Sequence, residues 1–246
     1  MCRCLEDPMP SKEVNLISVL LVVTVWAVMA VDAAWGGTIK GTVRLTGQAV
    51  EQKKITLTID QYYCGKEQDA EDIILAPDKR IRNVVVSLQT PPPGAKWKEP
   101  LPPVEIDQKQ CRFVPHVVVA PVGGTVNFLN TDRLLHNLHS ISKENLNFNR
   151  AQPKGRTIPI TFKTPEIIQV DCDLHAWMRA WVVVADHPFY AITNDMGEFI
   201  LDNVPQGRYT LWIWQESFGT MTMDVTVEDK NVTSVTIEMS KTGMAP

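Results

Sequence analysis

The sequence predicts an all-β protein, a sandwich or barrel of short strands, on three observations. Runs in which apolar and polar residues alternate with period two recur through residues 37–239. Clusters of Gly, Pro, Asn and Asp separate these runs as turns. Outside the N-terminal apolar run, no longer stretch repeats its apolar residues at helical spacing. The chain has 246 residues, room for one large or two small domains. Its formal net charge is −4 with 21% charged residues, which argues against nucleic acid, a partner that calls for a clustered basic surface.

Residues 1–33 read as a signal peptide. Leu16 to Val31 is an uncharged run, roughly 16 residues against the ~20 that cross a bilayer comfortably. Val31-Asp32-Ala33 follows where a signal peptidase would read, with cleavage after Ala33 or Ala34. An uncleaved N-terminal membrane anchor is the alternative. Glu6, Asp7 and Glu13 offset Arg3 and Lys12 in the head, and a start at Met9 would give a more usual one. The predicted location is periplasmic or secreted.

Residues 37–100 are an N-terminal β-region, with candidate strands at Thr38–Leu45, Lys54–Ile59 and Val84–Leu88 and a Pro-rich loop from Pro91 to Pro103. Residues 101–185 hold four further candidates: His116–Val119, Thr125–Leu129, Ile158–Phe162 and Ile167–Asp171, before Trp181–Ala185. Residues 186–246 form a second unit. There, Arg208 to Trp214 puts Tyr209, Leu211 and Ile213 on one face and Trp212 and Trp214 on the other, and Met221–Val227 and Val232–Met239 complete a meander. No flexible linker divides the parts, so they are expected to pack together.

Cys2 and Cys4 precede the predicted cleavage point, leaving Cys64, Cys111 and Cys172. An oxidising compartment favours one disulfide. Cys64 with Cys111 is the expected pair, leaving Cys172 as a thiol kept for a metal; three buried free thiols are the alternative. In Asp171-Cys172-Asp173-Leu174-His175-Ala176-Trp177-Met178, thiolate, imidazole and thioether fall in one short loop between two strands. Thiolate with thioether selects Cu(I), imidazole suits both copper oxidation states, and one Cys with two His and a weak Met is the donor set of electron-transfer copper sites. His136, in Asn130-Thr-Asp-Arg-Leu-Leu-His136, stands after another strand end and is the expected second imidazole. Zinc competes for Cys and His, but its structural sites favour several thiolates.

Residues 123–184 resemble a cupredoxin, the blue copper family. Cys-x2-His-x2-Met followed by Arg-Ala-Trp-Val-Val-Val is similar to the metal loop of amicyanin, and His136-Asn137 resembles the family's upstream His-Asn. The resemblance implies a Greek-key sandwich or barrel holding one copper per chain, with His136, Cys172 and His175 equatorial and Met178 axial. It implies that Asn137 ties the two ligand loops together and donates near the sulfur. Ala176 departs from the amicyanin pattern, where proline is usual. Residues 186–239, with Thr-Asn-Asp-x-Gly-x-Phe and Val-Pro-x-Gly-x-Tyr-x-Leu, resemble carboxypeptidase regulatory-like, transthyretin-like sandwiches, and Gly37–Val43 is similar to their first strand. The copper unit would then interrupt a sandwich formed by both chain ends. Proteins combining the two are often labelled methylamine-utilisation-like.

The resulting expectation is a one-electron carrier, not an enzyme. It would serve a transient exported redox partner, docking near Ala176 and Trp177, with His175 as the solvent-side ligand and electron port. A copper carrier or store is the first rival. The second is a scaffold or carbohydrate-binding module with a vestigial metal site, using Trp212 and Trp214. His139, three residues past His136, is expected on the other strand face, as an extra ligand, an exposed gate or a surface histidine. His116 and His187 are expected to be structural.

Overall fold

The computed structural model describes residues 36–47 and 50–240, so the predicted signal peptide, its apolar run and Cys2 and Cys4 lie outside the described residues. Among the described residues no helix is long and apolar enough to cross a membrane.

The chain is all-β, and four sheets stack as two sandwiches, so three hydrophobic layers alternate with them. The outermost sheet is built on β1 (Gly37–Leu45), which runs antiparallel to β17 (Glu198–Val204) and parallel to β20 (Val232–Met239). Short strands β4 (Leu75–Ala76) and β5 (Arg80–Ile81) extend it. Alternate residues of β1 face inward, among them Ile39, Val43 and Leu45. Gly41 shares that face because a Cβ there would lie 2.6 Å from the Phe199 ring. The two chain ends therefore share one sheet.

The second sheet runs β16 (Tyr190–Ile192), β6 (Val85–Leu88), β18 (Gly207–Gln215), β19 (Gly219–Val227). It has no wet face over β6, whose four residues are all buried: Val86 and Leu88 pack toward β1, while Val85 packs the other way. That explains its largely apolar sequence, in which buried Ser87 bonds to Phe189 O. The faces of β18 divide as predicted, with Leu211 and Ile213 in one core and Trp212 and Trp214 in the layer between the sandwiches. Trp214 is buried and meets Trp181 edge-on with ring centroids 5.2 Å apart. Trp214 is thus a packing residue, while Trp212 is partly buried against the same layer.

The second sandwich carries the predicted metal loop. One sheet runs β12 (Asn149–Gln152), β11 (His136–Ile141), β14 (Glu166–Asp171), β15 (Arg179–Ala185), β9 (Val117–Pro121). Facing it are β13 (Ile158–Thr161), β10 (Thr125–Asn130), β7 (Val104–Gln108) and β8 (Phe113–Val114). Phe113, Phe128, Leu138 and Ile168 fill the core between them. The remaining strands, β2 (Lys54–Thr56) and β3 (Glu67–Asp69), form a hairpin around a helical turn, Gln61–Cys64. Leu57, wholly buried, anchors this hairpin in the core that holds Cys172 and Met178. Residues 37–100 thus feed both sandwiches.

Candidate metal centre

β14 ends at Asp171, which pairs with His139 of β11, so the first residue of β11 and the first residue after β14 are neighbours in space. Cys172 begins the loop to β15. The loop closes on itself, Met178 N–H donating to His175 O at 2.8 Å and Cys172 N–H to Met178 O at 3.1 Å. This tight turn aims two side chains at His136.

Three donor atoms converge. The Nδ1 atoms of His136 and His175 are 2.9 Å apart, and Cys172 Sγ lies 3.9 Å from the first and 3.7 Å from the second. A point in the plane of these atoms is about 2.1 Å from each, the length of a metal–nitrogen bond and about 0.2 Å short of a metal–thiolate bond. His136, Cys172 and His175 are each at most 1% exposed. This buried group can hold a metal ion. Met178 is buried in the same core at the end of the same loop. A second grouping, Cys111 with Asp132 and His136, offers no thiolate, because Cys111 is bonded to Cys64. Cys172 is the free thiol among the described cysteines.

Electrostatics prepare the sulfur for a metal. Burial resists ionisation of Cys172, but hydrogen bonds from His136, His175 and the backbone N–H groups of Asn137 and His175 outweigh it, and the thiol falls to about 6. Burial likewise opposes charge on His136, yet Asp132 and the Cys172 sulfur raise it to about 9. Burial lowers the affinity of His175 for a proton; Cys172 and Asp60 reverse that, and its pKa is raised. These shifts favour a thiolate beside a protonated imidazole, and a cation bound there would displace such protons.

Asn137 ties the loop to β11. Its side chain accepts from Asp173 N–H at 2.6 Å and donates to Asp173 Oδ2 at 3.0 Å and Asn149 Oδ1 at 2.9 Å. The donor it turns toward the sulfur is its backbone N–H. His139 stands apart from the donor cluster, half-exposed, with its Nδ1 2.8 Å from Asp173 Oδ1. His116 lies buried between the sandwiches, bonded to Arg179 O and Glu216, and His187 is bonded to Leu88 O.

One expectation is corrected. His175 does not present its outer edge to solvent: its side chain is 1% exposed, and its Nε2 lies 3.0 Å from Asp60 Oδ2. The hairpin from the N-terminal region covers it. The contacts of two carboxylates with the imidazoles were not expected from the sequence. Asp132, whose pKa is lowered because hydrogen bonds from His136, Cys111, Gln110 and Tyr63 overcome the cost of burial, accepts from His136 Nε2 at 2.9 Å. Its place four residues before His136 was the available signal; Asp60, far away in sequence, gave none.

No family model matches this chain, and no curated protein matches it. Among solved structures it is similar to the Cu-containing nitrite reductase (NirK) from Thermus scotoductus SA-01, at 29% identity over 41% of this chain and 26% of that one, with a TM-score of 0.34. The match therefore spans about a quarter of the reductase. It is also similar to a purple cupredoxin from Nitrosopumilus maritimus, at 23% identity over 33% of this chain and 99% of that one, TM-score 0.30. An oxidised mutant of amicyanin is similar at 20% identity, over 41% of this chain and 98% of that one, TM-score 0.32.

Proposed function

We propose that this chain is an exported, mononuclear type 1 copper protein of cupredoxin type that carries single electrons and is not itself an enzyme. The observation that carries the reading is the convergence of His136 Nδ1, His175 Nδ1 and Cys172 Sγ within 3.9 Å of one another in a buried pocket. One thiolate and two imidazoles, with the thioether of Met178 in the same loop, suit copper in both oxidation states better than zinc. Bound copper supplies the Cu(I)/Cu(II) couple.

The chain's own residues supply the rest. The loop 172–178 is braced at both ends by backbone hydrogen bonds, and Asn137 fastens it to β11, so the donors keep one arrangement in either redox state. Asp132 accepts a hydrogen bond from the Nε2–H of His136, which keeps the proton on that nitrogen and leaves Nδ1 to face the pocket. Burial excludes water that would otherwise complete a tetragonal shell. Exposed Leu174 and Ala176 give the loop an apolar outer rim, suited to a brief encounter with another exported redox protein.

Protein loaded with Cu(II) should show an intense thiolate-to-copper band in the visible, absent from Cys172→Ser. Weak tetragonal absorption alone would refute the type 1 assignment. Cu(I) transfer without reversible redox cycling would favour a carrier or store instead.

A further inference from the structure

The segment that covers the site belongs to neither sheet of its sandwich. Residues 57–69 are held by buried Leu57 at one end and by the disulfide from Cys64 to Cys111. Between them Asp60 takes a left-handed conformation, φ 48 and ψ 29, one that Asp tolerates better than most residues. Its carbonyl accepts the N–H groups of Tyr63 and Cys64, each at 2.9 Å, and starts the helical turn. Its carboxylate is thereby set against His175 Nε2 at 3.0 Å.

The same cross-link organises the other histidine. Cys111 donates its N–H to Asp132 Oδ2 at 2.8 Å, and Tyr63, next to Cys64, donates its hydroxyl to Asp132 Oδ1 at 3.1 Å. Each imidazole thus meets a carboxylate at Nε2 and faces the pocket with Nδ1. A carboxylate on the outer nitrogen keeps the proton there, fixes ring orientation and makes the inner nitrogen more basic. Asp132 is 1% exposed and built into the sandwich, whereas Asp60, with a side chain 34% exposed, rides on the tethered hairpin.

We propose that Asp60 is the positioning residue for His175: from the disulfide-tethered hairpin it holds the Nε2 proton, aims Nδ1 at the metal, and closes the outer edge of that imidazole to solvent and to partners. The proposal rests on the copper reading for its metal, though the cap itself is a property of the chain. As a fixed negative charge on a ligand, Asp60 favours Cu(II) over Cu(I) and so lowers the reduction potential. Electron exchange by edge contact with His175 is closed. The half-buried ring of Trp177, 5.1 Å from that of His175, is the neighbouring aromatic group on this loop.

The test uses the full chain, labelled with 15N-histidine, both metal-free and loaded with Cu(I). The Nε2 protons of His136 and His175 should both give slowly exchanging resonances. Asp60→Ala should lose that of His175 and retain that of His136. Its Cu(I) affinity, measured by competition with a chromogenic chelator, should fall roughly 10–100-fold, and its potential should rise. Asp60→Asn keeps an acceptor oxygen but not the charge; it should retain the resonance and most of the affinity while the potential still rises. It also carries the test should the alanine variant fail to fold. An unchanged His175 resonance in Asp60→Ala, or an unchanged potential in Asp60→Asn, would overturn the proposal. A chain that protects both protons, loses one in Asp60→Ala, yet binds no copper would support the cap and refute the copper reading.

Discussion

Breaking the Cys64–Cys111 disulfide should destabilise the sandwich that carries the metal loop. The cross-link joins residues 47 apart in sequence, with Cα atoms at 5.5 Å. In the chain-entropy account, closing a loop of that size removes about 4 kcal/mol from the unfolded state. Little in the folded structure offsets the loss, because Leu57 is the wholly buried apolar side chain that pins the hairpin besides Cys64. Urea unfolding of the metal-free chain, oxidised and then reduced, isolates the cross-link, since both sulfurs remain in place and Cys172 is already a thiol. The reduced form should unfold at a lower midpoint, with a loss of about 4 kcal/mol and a somewhat steeper slope, because the unlinked unfolded chain exposes more surface. A loss under about 1 kcal/mol would refute the reasoning, since hairpin docking would then hold the loop closed without the bond.

Two further perturbations test other layers of the argument. Gly41→Ala places a methyl group 2.6 Å from the Phe199 ring and 2.8 Å from Val235 Cγ2, between β17 and β20. It should cost about 1–3 kcal/mol by overpacking, read as a lower thermal midpoint; a neutral result would dispute the shared sheet of the chain ends. Glu166 pins the loop after β11, accepting from Ser142 Oγ at 2.5 Å and from the N–H groups of Lys143, Glu144 and Asn145. Burial works against its charge, but these donors hold its carboxyl down at about 2. A depressed carboxylate stabilises the fold above its unfolded value, here 4.5, and loses that contribution as pH falls from there through about 2. Glu166→Gln should therefore cost about 1–2 kcal/mol at neutral pH, allowing for solvent screening. The deficit should shrink in urea titrations from pH 5 toward pH 2; a deficit independent of pH would count against this role.

Much of the fold was legible because period-two alternation survives wherever one face is buried. β1, β18, β19 and β20 follow their sequence patterns closely. β12, Asn149–Gln152, was not legible: apart from Ala151 its residues are polar, most are exposed, and it exists as an edge partner of β11. The alternation over Lys54–Ile59 predicts one strand, but only Lys54–Thr56 pairs, and the chain then turns so that Leu57 enters the core and Ile59 stays exposed. Cys172 and His175 were legible as neighbours in space because one tight loop carries both. Asp60 was not, because an ion pair 115 residues apart leaves no local pattern.

Copper-edge X-ray absorption on the Cu(II)-loaded chain probes the proposed donor set itself, because it counts the atoms around the metal. One sulfur and two imidazole nitrogens are expected at bonding distance, with the sulfur lost in Cys172→Ser. A shell of nitrogen and oxygen alone would contradict it.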